Sequence, residues 1–333
     1  MTKKPIAIVT GGAGFIGSHV TEKLINEGYQ VVVLDNLSTG RIENIDLLEI
    51  DDSKLTFLEC DISVDGSWTN LFEGASCVIH LAALADIVPS IENPKEYFNS
   101  NVVGTFNVLN AANEHNVKKF IYSASSSCYG LPEQIPTKET SANDPRYPYA
   151  LTKLMGEDLV MHWSQVYGIN AISLRFFNVY GTRSRTSGTY GAVFGVFLAQ
   201  KLANQPYTVV GDGTQTRDFT YVSDVADAVF AAVNANLKKE IINIGSDNTY
   251  SINDLVNLLD GEVVYIPKRP GEPDCTWADI SKAKDLLNWS PSVSLQAGVT
   301  KLIENIDYWK QAPVWDEQSI ANATKSWFKY LGK

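Results

Sequence analysis

The segment Thr10-Gly-Gly-Ala-Gly-Phe-Ile-Gly17 constrains this chain more than any other, because it joins the β-branched run Ile6–Thr10 directly to an amphipathic stretch that starts at Phe15. Two glycine registers fit, Gly12-x-Gly14-x-x-Gly17 and Gly11-x-x-Gly14-x-x-Gly17. Both need glycine for the same reasons. The turn is tight, the backbone must approach a pyrophosphate, and the helix must pack closely on the strand with its N-terminus facing the anion. The spacing therefore predicts a strand–turn–helix unit that opens a dinucleotide site. The next apolar run, Val31-Val-Val-Leu-Asp35, ends in an acid 18 residues after Gly17. A carboxylate there accepts the adenosine ribose hydroxyls and repels a 2′-phosphate, so NAD is expected rather than NADP. Asp61 and Ile62, after a third strand, stand where the adenine would lie.

The rest of the first half repeats this alternation. Ile6–Thr10, Val31–Asp35, Leu55–Cys60, Ser76–His80, Lys119–Ser123 and Ala171–Phe176 read as strands, with helices over Phe15–Glu27, Pro94–His115 and Tyr149–Tyr167. The strands are continuously apolar, as in a parallel sheet covered on both faces. The expectation is an α/β fold, a Rossmann-like doubly wound parallel sheet. After Asn178, glycine, proline and aromatic residues become frequent; Ser223–Asn234 and Ile241–Gly245 then return as a helix and a strand. Residues 1–177 and 220–245 are thus expected to form the NAD-binding domain. Residues 178–219 and 246–333 are expected to form a smaller α/β lobe that binds substrate. A length of 333 residues suits two such units at about 150 residues each.

Charge narrows the partners. The 27 Lys and Arg against 38 Asp and Glu leave −11, which disfavours nucleic acid or an anionic membrane, while a few local arginines still allow a small anionic ligand. Cys60, Cys77, Cys128 and Cys275 show no metal-ligand spacing and read as reduced thiols, so no metal and a cytoplasmic setting are expected. No apolar run is long enough to span a bilayer. Trp309, Trp315, Trp327, Phe328 and Tyr330 near the C-terminus read as packing residues.

Two clusters carry chemistry. Tyr149 and Lys153 lie four apart on a helix and so share a face. A neighbouring ammonium, with the positive ring of NAD⁺, favours the phenolate and brings Tyr149 towards a working general base. Ser125-Ser-Ser-Cys-Tyr-Gly130 follows a strand, where hydroxyls face the ligand crevice. A serine there can bond a substrate hydroxyl and relay its proton to Tyr149.

Together with these clusters, TGGAGFIG, Asp35-Asn-Leu-Ser-Thr-Gly40, His80-Leu-Ala-Ala83 and Arg175-Phe-Phe-Asn-Val-Tyr-Gly181 resemble the extended short-chain dehydrogenase/reductase family, to about residue 310. The likeness is nearest to nucleotide-sugar C4 epimerases acting on UDP-glucose or UDP-N-acetylglucosamine. It implies Tyr149 as base, Lys153 as the residue that holds the nicotinamide ribose and tunes Tyr149, and Ser125 as its helper. It implies an NAD site made by Gly11, Gly14, Phe15, Ile16, Gly17, Asp35, Asn36, Ser38, Thr39, Gly40, Asp61, Ile62, Leu81, Ala82, Ala83, Asn101 and Phe177. Ser126 and Ser127 would face the sugar, beside Val193. Asn178, Arg217 and Arg269 would hold the diphosphate, arginine forks matching phosphate oxygens. Glu272 stands where the family usually has an Asp on the nucleotide ribose.

The same resemblance separates reactions. Dehydratases and decarboxylases of the family carry an acid where this chain has Ser127, so simple epimerisation at C4 through a transient 4-keto sugar is expected, with no net redox. Thr276 aligns with a position that is bulky where only plain hexoses are admitted, which points to UDP-GlcNAc and UDP-GalNAc. Arg185 matches an arginine that binds the C6 carboxylate in uronic-acid epimerases, leaving UDP-glucuronate as the second substrate class. A dehydratase or reductase activity is the further alternative. A cofactor-sensing protein without catalysis is disfavoured by the joint presence of Ser125, Tyr149 and Lys153. Relatives dimerise through the helices near Pro94–His115 and Tyr149–Tyr167, so the resemblance implies a homodimer; Ala111, Ala112, Leu154, Val160 and Met161 are compatible with its face and equally with packing inside the chain.

Overall fold

The computed structural model describes residues 4–48, 50, 53–184 and 192–332. Its centre is a seven-stranded parallel sheet. The first six strands are β1 (Ile6–Thr10), β2 (Gln30–Asp35), β3 (Leu55–Glu59), β4 (Cys77–His80), β5 (Lys119–Ser125) and β6 (Asn170–Phe176); Glu240–Ile244 is the seventh. Their order across the sheet is β3-β2-β1-β4-β5-β6 followed by Glu240–Ile244. The order reverses between β1 and β4, which opens the ligand crevice of a doubly wound fold at their C-terminal ends. The Rossmann-like architecture expected from the glycine loop is therefore the one present.

Alternation along the strands builds two cores. Ala7 and Val9 of β1 pack with Val20 and Leu24 of helix α1 (Phe15–Asn26) and with Val225 and Val229 of helix Val222–Asn234. Ile8, between them, faces the other layer, where Val108, Leu109 and Ala112 of Gly104–Glu114 meet Val160 and Trp163 of Pro148–Tyr167. A third cluster, with Tyr180, Phe194, Phe197, Tyr207, Leu255 and Trp309, lies under three short strand pairs contributed by residues 179–266. The aromatic texture after Asn178 is the material of this core; Tyr180 and Phe194 stack at 4.4 Å.

The long helix expected over Pro94–His115 is interrupted. Asn99–Val103 forms a π-helical turn between Pro94–Phe98 and Gly104–Glu114. The wider turn changes the carbonyl pattern, and Thr105 Oγ1 donates to the Asn101 carbonyl at 2.6 Å. Such turns are often found at functional sites. Helix Pro148–Tyr167 starts on a proline in its first turn and stops at Gly168 in the left-handed region, so both ends are fixed by the sequence. Of the residues compatible with a dimer face or with internal packing, Ala111, Ala112 and Val160 are buried inside this chain's own core. The apolar residues these helices expose are Phe98, Phe106, Leu151, Val166 and Tyr167. No helix among the described residues is long and apolar enough to cross a membrane.

Candidate active site

A cavity of about 710 Å³ runs from the glycine loop, past the end of β5, to the loops after β6. At its first end the chain turns through Gly11, whose φ of +70° and approach to the next loop leave no room for a side chain. A Cβ there would stand 2.7 Å from the Ala82 nitrogen. Gly14 is the N-cap of α1 and has no side chain to cap it, and the first turn, Gly14 to Gly17, lines the cavity. Asp35, at the end of β2, accepts from Leu37 N at 2.9 Å and Ala13 N at 3.0 Å. Burial raises its pKa while these N–H groups oppose the rise. The carboxylate still has acceptor capacity for a pair of ribose hydroxyls. A free helix N-terminus, a side-chain-free turn and a terminal acid fit the dinucleotide read from the sequence.

At the middle of the cavity, Tyr149 lies in the first turn of Pro148–Tyr167 and Ser125 closes β5. Ser125 Oγ accepts from Ser127 N at 3.2 Å and from Ser127 Oγ at 2.8 Å. With both lone pairs engaged, its own proton is left to give. It is in hydrogen-bond contact with the Tyr149 phenol, which lowers that pKa, although burial lifts it further and the net direction is upward. Lys153 is fully buried one turn along, its Nζ 4.5 Å from the centre of the Tyr122 ring. Desolvation pushes it down to about 7, and Glu157, a further turn along, pulls it back. The acidification expected of Tyr149 invokes the positive ring of NAD⁺ together with Lys153; for the protein by itself burial dominates and the direction is upward.

Glu157 is itself held. It accepts from Arg175 Nε at 3.0 Å and from Ser173 Oγ at 2.7 Å, with Arg175 Nη2 on its other oxygen. The Arg175 guanidinium lies 4.7 Å over the Tyr129 ring.

At the far end, Arg217 donates to Glu272 Oε1 at 2.9 Å, and Arg269 approaches the other oxygen of Glu272 at 4.0 Å. One carboxylate thus gathers both guanidiniums, a reach that suits Glu at this position. Thr276 Oγ1 donates to Asn178 Oδ1 at 2.7 Å and accepts from Asp218 N at 3.3 Å.

Most of the expected residues line this one cavity, from Gly14, Phe15, Ile16 and Gly17, through Asn36, Ser38, Thr39, Asp61, Ile62, Leu81, Ala83 and Phe177, to Ser126 and Val193. Three stand behind its wall. Asn101, expected to line it, spends its amide on Leu84 N at 2.8 Å, Leu84 O at 2.9 Å and Thr152 Oγ1 at 3.0 Å. It shapes the loop after β4 instead. Gly40 lies beneath the Asp35 carboxylate, where a Cβ would come within 2.7 Å of Oδ1. Lys153 is buried away from the lining, against the Tyr122 ring. Arg185 falls outside the described residues. Sequence reasoning missed Tyr147, which faces the cavity, stacks on Tyr149 at 6.3 Å and is in hydrogen-bond contact with Ser127. A second tyrosine two residues before Tyr149 was the available signal. It also missed Trp315 and Trp327, which reach the cavity from the far C-terminus, whereas Trp309 packs in the third core.

The model of the NAD dependent epimerase/dehydratase family matches residues 7–245. A protein of Methanocaldococcus jannaschii described as a putative UDP-glucose 4-epimerase is 38% identical over 304 residues, covering 89% of this chain and 96% of that one. The structure of a UDP-N-acetylglucosamine 4-epimerase from Methanobrevibacter ruminantium, in complex with UDP-N-acetylmuramic acid, superposes with a TM-score of 0.84 at 32% identity, over 91% of this chain and all of that one. A UDP-glucuronic acid 4-epimerase from Bacillus cereus, in complex with UDP-glucuronic acid and NAD, gives 0.83 at 36% identity, over 92% and 99%.

Proposed function

Because the chain belongs to the NAD-dependent epimerase/dehydratase family, we propose that it inverts a UDP-sugar at C4 and that its preferred sugar carries an N-acetyl group at C2. The observation that carries this reading is the meeting of Tyr149 and Ser125 in one cavity, with the neutral Ser127 beside them where an acid would serve dehydration. The relatives differ in sugar, being described with UDP-glucose, UDP-N-acetylglucosamine and UDP-glucuronic acid, and agree on C4. The small Thr276 favours the N-acetyl member of that set.

NAD, the family's cofactor, supplies when bound a reversible acceptor for the C4 hydrogen and its electron pair. The protein's residues do the rest. Tyr149 takes the proton of the C4 hydroxyl and later returns it. Ser125, its lone pairs occupied by Ser127, donates to the same oxygen and keeps it oriented. Lys153 places positive charge below the phenol, held towards its charged form by Glu157. Arg217, Arg269 and Asn178 hold the diphosphate, so the sugar turns over while its nucleotide stays fixed. The exposed Phe98, Phe106 and Leu151 supply an apolar face for a homodimer.

The deciding experiment offers UDP-, GDP-, CDP- and dTDP-sugars to the purified enzyme and resolves products by NMR. UDP-GlcNAc and UDP-GalNAc should interconvert fastest, without added reductant. Release of a stable keto sugar, or a need for stoichiometric reductant, refutes epimerisation. Faster turnover of UDP-glucuronate moves the substrate to the acidic class.

A further inference from the structure

The C-terminal helix Lys325–Leu331 packs on Ile87–Glu92, and Ser326 Oγ donates to Glu92 Oε1 at 2.7 Å. Between them and the far end of the cavity stands Trp327, buried. Its Nε1 donates to the Pro270 carbonyl at 2.8 Å, and its ring centre lies 5.4 Å from the Arg269 guanidinium carbon. On its other side it meets Tyr147 at 6.4 Å, the ring that stacks on Tyr149. The loop it touches is irregular, running from the end of Val263–Ile266 to the bridge at Cys275, with Gly271 at a φ of +72°.

From this arrangement we propose that Trp327 is a positioning residue for the nucleotide diphosphate, a proposal that rests on the reading of Arg269 as a diphosphate ligand. An arginine on an irregular loop has many rotamers, and ordering it on binding weakens affinity. The indole face attracts the guanidinium and the indole N–H anchors the next residue, so the fork is presented in one place before the ligand arrives. The same ring joins the Arg269 loop and, through Tyr147, the reacting phenol, while its helix packs on the helix after β4. The C-terminal helix thus completes the anion site from a segment distant in sequence from both arginines.

The test is a double-mutant cycle on the NAD-loaded enzyme, with UDP itself as the probe and its affinity read by calorimetry. Arg269→Ala should weaken UDP by about tenfold or more, and Trp327→Ala by about three- to tenfold, the range a partly desolvated cation–π contact supports. In the Arg269→Ala background the tryptophan change should add less than about twofold. Trp327→Phe, which keeps a ring face without the bond to Pro270, should fall between wild type and alanine, and KM for the UDP-sugar should rise more than kcat falls. If Trp327→Ala loses NAD and so its fold, the phenylalanine variant carries the cycle. Unchanged UDP affinity, or an equal loss with and without Arg269, overturns the positioning role. Unchanged affinity in Arg269→Ala alone overturns the diphosphate reading instead.

Discussion

Under the proposed reading, the two ends of the cavity recognise their ligands by different means. The dinucleotide end is made mostly of backbone: the turn at Gly11, the uncapped start of α1 and one acid, Asp35, all within 25 residues of sequence. The nucleotide-sugar end is made of side chains drawn from distant segments, Asn178, Arg217, Arg269, Glu272, Thr276 and Trp327. Backbone recognition comes with the fold and tolerates changes nearby. Side-chain recognition is assembled from loops and depends on neighbours that orient each group. Tyr149 and Ser125 stand at the seam between them.

The largest expected effect lies at that seam. Tyr149→Phe should lower kcat by about 10²- to 10⁴-fold, the worth of a positioned general base. NAD content and UDP affinity should stay within about twofold, because the two ends bind without the phenol. Undiminished turnover would remove Tyr149 from the mechanism, and loss of NAD with the hydroxyl would show that the two ends are not separable.

The seam and the far end each rest on an Arg–Glu pair, and the two pairs should differ in kind. Arg175–Glu157 is almost fully buried on both sides, whereas Glu272 of Arg217–Glu272 keeps a quarter of its side-chain surface in solvent. Removing one partner of a buried pair strands a charge and costs about 3–5 kcal/mol. A pair with one partner partly in solvent loses less, because water takes up part of the stranded charge. Glu157→Gln should therefore lower stability in denaturant titration far more than Glu272→Gln. Glu272→Gln should instead change UDP affinity, since it releases two arginines. Equal destabilisation by the two would erase the contrast.

Lys153 sharpens it further. The folded protein without cofactor holds Lys153 near 7, below an ordinary lysine. Between that value and about 10.5 the unfolded chain binds the extra proton, so stability should rise with pH across this window. Below it both states are protonated and the burial penalty is constant. Lys153→Met should flatten this rise, measured by thermal unfolding of the cofactor-free protein from pH 6 to 9. The same slope in both proteins would assign the proton elsewhere.

The ends differ in legibility for the same reason they differ in chemistry. The glycine loop, Asp35 and the helix carrying Tyr149 and Lys153 are local patterns, and their strands and helices fall within a residue or two of where periodicity puts them. The π turn at Asn99–Val103 was not legible, because it follows from Asn101 bonding Leu84 and Thr152 across space. Trp327 was invisible for the same reason: nothing near it in sequence mentions Arg269, and 57 residues separate its indole from the Pro270 carbonyl it bonds. Spacing shows the charge of Lys153 near Tyr149 and not the burial that lifts the phenol in the protein by itself. Resemblance placed the arginines; only the structure shows that Glu272 gathers them.

The smallest effect concerns selectivity at Thr276. A tyrosine there fills the space beside the sugar C2 position, but it also takes the hydroxyl from Asn178 and from Asp218 N. Thr276→Tyr alone therefore mixes a volume effect with the loss of a bond that orients a diphosphate ligand. Thr276→Val separates them, because it keeps the volume and removes the hydroxyl. If Thr276 acts as a gate, valine should weaken N-acetyl and plain UDP-sugars by the same few-fold factor, and tyrosine should lower kcat/KM for the N-acetyl pair by about a further tenfold, the scale on which a pocket rejects one bulky group. If tyrosine lowers both substrates equally, Thr276 serves Asn178 and the choice of sugar is made elsewhere in the cavity.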